Sequence, residues 1–233
     1  MSSSPSASNL LPIPDGLVVL TFDDAVSNHA TFAGPVLKRC GFGATFYVCE
    51  FPPDFDTNKQ QYMTWEQIKS LADAGFEIGN HTGHHASVPA LSVSELQDEI
   101  AFIEQRCREY NIPHPTTFCY PGCGVKPEAL PVLKENGYQF ARIGDNRPYD
   151  PAIDPALLVP SFGCHGDDPS VFYQAVEQAR DGRIAVLMFH GIPEYTHPWV
   201  NTMPERFEEY MQHLSNQHCT VIAMRDLARY VAI

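Results

Sequence analysis

The sequence predicts a single-domain α/β protein built around a closed parallel barrel. Three observations carry that expectation. Apolar, β-branched runs alternate with segments that open on helix-capping signals; seven or eight such units fit within 233 residues; and the reactive side chains cluster where the apolar runs end. In a parallel barrel the carboxyl ends of all strands meet on one face, so residues far apart in sequence can share a pocket there.

The elements follow in order. The run GLVVLTFD (16–23) is continuously apolar, the pattern of a strand buried on both faces, and ATFYVCE (44–50) reads the same way. Thr64 and Gln67 have capping-box spacing and open the helix WEQIKSLADA, which ends at Gly75, where a C-terminal glycine belongs. Ser92 and Glu95 form a second box at the head of a helix running to about Tyr110. FEIGN, TTFCYP, YQFARI, LLVPSF, IAVLMFH and TVIAM supply the remaining strands. Helices are expected from Pro127 to Asn136, from Pro169 to Asp181 with Asp168 as cap, and from Pro204 to Ser215. Residues 1–14, rich in Ser and Pro, are expected to form a flexible N-terminal segment, with 15–233 as the one folded domain.

Composition narrows the function. Hydrophobic residues at 44% and charged residues at 18% are the profile of an ordinary globular chain able to bury a substantial core. With 15 basic residues against 28 acidic ones and a net charge of -13, nucleic acid is excluded as a partner and anionic membranes are disfavoured. No apolar run approaches the ~20 residues of a membrane span, so no membrane insertion is expected. The first residues lack the basic start and apolar centre of a secretory signal, which points to a cytoplasmic location. Seven cysteines, an odd number, read as free thiols; Cys119 and Cys123, at C-x3-C spacing, read as packing residues.

Chemistry concentrates in EIGNHTGHHAS (77–87). His81 and His85 stand at i and i+4, so one helical turn would bring both imidazoles to a single metal ion. A third ligand is available where the first strand hands over to a loop, in LTFDDAVSNH. Two imidazoles and one carboxylate leave open positions on Zn²⁺ for water and a substrate oxygen, and the adjacent aspartate is then free to act as a base.

TFDD (21–24), HTGHH (81–85) and LMFH (187–190), in that order and each after a strand, resemble the first, second and fifth motifs of the polysaccharide deacetylases, the NodB-like carbohydrate esterase family 4. The resemblance runs from Leu20 to about Leu227. It implies a distorted (β/α)7-type barrel and metal-dependent hydrolysis of N-acetyl or O-acetyl groups on a carbohydrate substrate. By that likeness Asp24, His81 and His85 bind a divalent metal, Zn with Co, Ni or Mn as substitutes. Asp23 is the base and His190 the acid.

Two departures stand out. Where the family carries an arginine before a proline, FCYPGCG (118–124) has Cys119; Arg142, at the end of the next strand in FARIG, is the candidate replacement. The family's Asp-Trp fourth motif is missing. The backbone N–H of Gly122 is the candidate second oxyanion donor, with Tyr120 beside it in the pocket. Trp199 and Tyr195, on the loop after His190, are placed to stack on a sugar face, or Trp199 packs that loop onto the barrel. His84 and His165 are expected on the surface, and His29 and His197 on loops. Three other functions share these residues: a same-fold hydrolase of another C–N bond, such as a cyclic imide or purine-derived amide; a catalytically inactive sugar-binding module; and a non-haem iron oxygenase with the same ligand triad.

Overall fold

Strand β1 (Leu17–Phe22) is buried along its whole length, as its unbroken apolar run requires, and the fold is organised around it. In the computed structural model, which describes residues 10–233, β1 pairs in parallel with three other strands. These are β7 (Ala185–Phe189), β2 (Thr45–Val48) and β8 (Thr220–Ile222). From β2 the sheet continues through β3 (Glu77–Asn80), β4 (Thr117–Cys119), β5 (Phe140–Asp145) and β6 (Val159–Gly163) back to β7, and the β1–β2 pairing closes a seven-stranded parallel barrel. The barrel expected from the alternation is therefore the architecture observed. β8 is the eighth unit. It pairs with Leu17–Val19 only, while β2 takes Thr21 and Phe22 on the same edge, so β1 divides one edge between two partners.

Among the described residues six α-helices wrap the barrel: α1 (Gly34–Cys40), α2 (Trp65–Asp73), α3 (Val93–Glu109), α4 (Ala129–Glu135), α5 (Ser170–Gln178) and α6 (Pro204–Asn216). Both capping boxes are formed: Thr64 with Gln67 opens α2 and Ser92 with Glu95 opens α3. α4 starts two residues later than its sequence signal. The head of α5 is held by Asp168, whose carboxylate accepts from both the N–H and the hydroxyl of Ser170.

Alternation along the strands sorts the core. Val18, Leu20 and Phe22 pack outward with α1, α2, α5 and α6, whereas Leu17, Val19, Phe140, Val159 and Val186 fill the lower barrel interior. Above them the interior turns polar, and the topmost inward positions belong to Arg142 and Cys119, which are register partners on β5 and β4. Arg142 is thus not at the strand's end, as its sequence position implied. β5 runs on to Asp145 through an irregularity in register, leaving Arg142 in mid-strand and only 1% exposed.

Residues 1–9, which hold most of the segment expected to be flexible, lie outside the described residues. Leu11 donates its N–H to the carbonyl of Arg229, and Ile13 packs against the lower core. Among the described residues no helix is long and apolar enough to cross a membrane.

Candidate active site

Asp23 and Asp24 follow β1 directly, and the backbone there is bent sharply enough to aim them apart: Asp24 has φ +72° and Ala25 φ +51°. Left-handed backbone at non-glycine residues costs energy and persists where surrounding contacts enforce it. Here the main-chain bond from Asp23 N–H to the Phe189 carbonyl holds the turn to β7.

The HTGHH segment is not the helical turn its i, i+4 spacing implied. It is an irregular loop with Thr82 at φ +61° and His85 at φ +52°. The Asn80 side chain accepts from Thr82 N–H, the Thr82 hydroxyl accepts from Ala86 N–H, and Gly83 accepts from Glu50 N–H. These bonds set the loop's shape, and the result still converges the two imidazoles. Each Nε2 lies 3.4 Å from Asp24 Oδ1, with the rings 4.9 Å apart and close to perpendicular. A hydrogen bond from His81 Nδ1 to the Cys119 carbonyl (2.8 Å) puts the ring proton on Nδ1, so Nε2 turns its lone pair toward Asp24. Asp24 Oδ1 is buried without a hydrogen-bond partner. A carboxylate oxygen, orphaned and faced by two imidazole nitrogens, fits a divalent cation of the zinc type.

Ionisation fits that use at Asp24 and His85 but not at His81, which burial would lower but the neighbouring Cys119 and Asp24 raise well above the ordinary imidazole value. Burial alone would raise the Asp24 carboxyl, but the adjoining His81 and the positive field of His190 hold it well below the usual carboxylate range. Burial, reinforced by His81, brings His85 down to about 4, which keeps it the neutral base a metal ligand must be.

Asp23 sits beside this cluster in a different setting. Its Oδ2 is paired with Arg142 Nη2, and Arg142 Nη1 donates to Ser161 Oγ (3.1 Å). Cys119 Sγ lies 2.6 Å from Arg142 Nη2 and 3.8 Å from Asp23 Oδ2, so this cysteine contacts the charged pair instead of merely filling space. Burial pushes the Cys119 thiol up, against the pull of Arg142. Arg142 makes no ion pair with Asp145, which pairs with Arg147. His190 directly follows β7, with Nε2 3.8 Å from Asp23 Oδ2.

The other expected positions divide. Gly122 has φ +59° and nothing within 4 Å of where a Cβ would stand, so its backbone is open to close approach. Tyr120 is placed elsewhere. Its ring packs into the core between α3 and α4 against Phe118, and its hydroxyl donates to the Leu157 carbonyl. Trp199 is 70% exposed and reaches the site only through other rings: it meets His197 at 5.4 Å, His197 meets Phe51 at 5.2 Å, and Phe51 meets His85 at 4.5 Å. His84 is half-exposed and bonded to Glu99.

Two histidines differ from their sequence reading. His165 is partly buried, its ring 6.1 Å from that of His190, because Cys164 is tied by its N–H to Met188 on the neighbouring strand. His29 is fully buried, and its Nε2–H donates to the His190 carbonyl (2.9 Å). Burial brings His29 down to about 4 from an ordinary 6.5. Between those values the unfolded chain takes up a proton that the folded chain refuses, so this contribution to stability is complete above pH 6.5 and lost as pH falls toward 4. It amounts to about 3 kcal/mol. His29→Phe should therefore lose less stability than the wild type between pH 7 and pH 4.5 in urea titrations; equal losses would show that His29 does not carry this dependence.

Phe51 escaped the sequence reading, as did the burial of His29. Phe51 was accessible to it, since it follows β2 by the same rule that found Asp23 and His190.

Known proteins resemble the chain over much of this site. The family model for polysaccharide deacetylase matches residues 12–141, more than half of the chain. The peptidoglycan-N-acetylmuramic acid deacetylase PdaA of Bacillus subtilis is 29% identical over 124 residues, covering 52% of this chain and 44% of that protein. The chain spans about half the length of the curated relatives it matches. Among solved structures, a family 4 carbohydrate esterase from Streptomyces lividans in complex with acetate superposes with a TM-score of 0.62 at 20% identity, covering 89% of this chain and 92% of the other. BA3943, a CE4 family pseudoenzyme from Bacillus anthracis, superposes with a TM-score of 0.64 at 16% identity, covering 95% and 68%. At such identities these structures speak for the fold alone. The barrel and the family match over residues 12–141 together lead to one conclusion: the chain belongs to the polysaccharide deacetylase family.

Proposed function

We propose that the protein is a metal-dependent hydrolase that removes acetyl groups from a carbohydrate, cleaving the C–N bond of an N-acetylated sugar or, in its variant form, an O-acetyl ester. The observation that carries this reading is the orphaned Asp24 Oδ1 facing two imidazole nitrogens at 3.4 Å. Asp24, His81 and His85 would hold Zn²⁺, with Co²⁺, Ni²⁺ or Mn²⁺ acceptable to the same donors. A cation held there supplies Lewis acidity and acidifies bound water.

The remaining steps belong to the chain's own side chains. Arg142 holds Asp23 through Oδ2, which leaves Oδ1, buried and without a partner, as the atom that takes the proton of the attacking water. The Gly122 N–H is the proposed donor to the oxyanion that develops on the acetyl carbonyl. An amide nitrogen departs only once protonated, and His190, whose Nε2 lies 3.8 Å from Asp23 Oδ2, delivers that proton. Tyr120 takes no part. Against an inactive sugar-binding module stands the complete set: two carboxylates, three histidines and a buried arginine on one end of one barrel.

Acetate release from a panel of N-acetylated and O-acetylated sugars tests the reading. Release should stop on chelation and return with Zn²⁺ or Co²⁺. Absence of acetate from every sugar, with hydrolysis of a cyclic imide instead, would move the protein to the other class of C–N hydrolase.

A further inference from the structure

The loop that carries His81 and His85 keeps an unfavourable backbone, with Thr82 at φ +61° and His85 at φ +52°. Residues with a Cβ leave the left-handed region unless contacts hold them there, so whatever enforces this shape also sets where the two imidazoles meet. The first such contact is the bond from Thr82 N–H to Asn80 Oδ1 (2.9 Å). A side-chain amide turned by half a rotation would present its NH2 instead, so the Asn80 amide must itself be held in the accepting sense.

Its holders lie outside the loop. Asn80 Nδ2 donates to the Ile100 carbonyl on α3 (3.0 Å) and to the hydroxyl of Tyr138, two residues before β5 (2.7 Å). A carbonyl can only accept, and the Tyr138 hydroxyl has given its single proton to Glu104 Oε1, also on α3 (3.1 Å). Both neighbours therefore require a donor from Asn80, and its oxygen is left facing Thr82. All four residues are buried, Glu104 least so at 9% exposure. The bonds run in one direction, from Thr82 N–H to Asn80 to Tyr138 to Glu104, and end on a carboxylate. Away from water each bond polarises the next, and an anion at the end strengthens them.

Helix α3 supports the loop at two further points. Glu99 Oε2 accepts from His84 N–H (2.8 Å), and Glu99 Oε1 lies 2.9 Å from His84 Nδ1. Phe102 packs so closely under Gly83 that a Cβ there would stand 3.1 Å from its side chain. These contacts hold the middle of the loop, between the two histidines. The Asn80 chain holds its start, where His81 leaves β3 and Thr82 takes the left-handed turn.

We infer that Tyr138 and Glu104 are positioning residues of the metal centre: acting through Asn80, they fix the loop conformation in which His81 and His85 converge with Asp24 on one cation. This rests on the metal-dependent reading of that site. Partners one bond removed from the ligands change metal affinity by about 10–100-fold, because a ligand set that must reorganise on binding loses part of what its donor atoms gain.

Zinc affinity, measured on the full-length protein by competition with a chromophoric chelator, tests this without any substrate. Tyr138→Phe keeps the ring against Phe118 and removes only the hydroxyl, so zinc should bind about 10–100-fold more weakly. Glu104→Gln keeps an acceptor but removes the charge, and should weaken binding by only about threefold. In the double variant the loss should equal that of Tyr138→Phe alone, because Glu104 acts through the hydroxyl. Val132→Ala opens a cavity in the same core cluster and controls for general destabilisation; zinc affinity there should stay within about twofold of the wild type. Wild-type affinity in Tyr138→Phe, additive losses in the double variant, or equal weakening in Val132→Ala would overturn the inference. Should Tyr138→Phe fail to fold, Glu104→Gln decides alone, and wild-type affinity in it would overturn the inference. A wild-type protein that binds no zinc would instead overturn the reading of the site itself.

Discussion

Removing any one of the three proposed metal ligands should bring bound zinc from one equivalent to well below it and abolish acetate release. Each residue supplies a single donor atom to one point, so each loss leaves two donors where three are needed and weakens the site by far more than a change in its surroundings would. The substitutions must respect the backbone. Asp24 and His85 both lie at positive φ, where asparagine is tolerated better than alanine, so Asp24→Asn and His85→Asn separate the loss of a ligand from the loss of the turn. His81 follows β3 without that constraint, and His81→Ala is suitable. Elemental analysis after gel filtration is the measurement. Undiminished metal in all three variants would remove the assignment of the site.

The second large effect concerns the buried pair of Asp23 and Arg142. Asp23→Asn keeps size and shape but removes the proposed base, so it should retain metal while kcat falls by roughly 10²–10⁴. Arg142→Ala should do damage of two kinds. It leaves the Asp23 carboxylate buried without its counter-charge, a loss of about 3–5 kcal/mol in stability, and it frees that carboxylate from the orientation in which Oδ1 is proposed to meet the attacking water. Arg142→Lys retains a positive charge but cannot span Asp23, Cys119 and Ser161 with one planar fork, so kcat should fall far more than KM changes.

The register makes a rescue possible. Cys119 and Arg142 stand opposite each other on adjacent strands, so a guanidinium introduced by Cys119→Arg into the Arg142→Ala background enters the same space from the neighbouring strand. Partial recovery of kcat is the expected result. Wild-type kinetics in Arg142→Ala would show that another group positions Asp23.

Much of this molecule is decided by short stretches of sequence. The eight strands, the two capping boxes and the placement of Asp23, Asp24, His81 and His190 after strands all follow from local patterns: apolar runs, side-chain-to-backbone caps and the handover from strand to loop. Local patterns have local causes, and the parallel barrel followed from their alternation because few other folds bury so many strands on both faces.

What only the tertiary structure decided depends on closure and direction. Whether Arg142 lay at a strand's end or inside the barrel hinged on where β5 stops, and a slip of one residue would have turned its side chain to the other face. Tyr120 and Cys119 are consecutive, yet the first points into the core between α3 and α4 and the second toward Asp23, a choice made by the pleat of β4 and not by residue type. His29 and His165 looked like surface residues because nothing near them in sequence is their partner; both are brought to His190 by β7, more than 20 positions away. Even the convergence of His81 and His85, though visible as a spacing, is produced by a strained loop held by Asn80 and Thr82 instead of the helix that the spacing implied. The residue types were legible because chemistry requires them. Their geometry was not, because it is set by contacts between segments that meet only when the barrel closes.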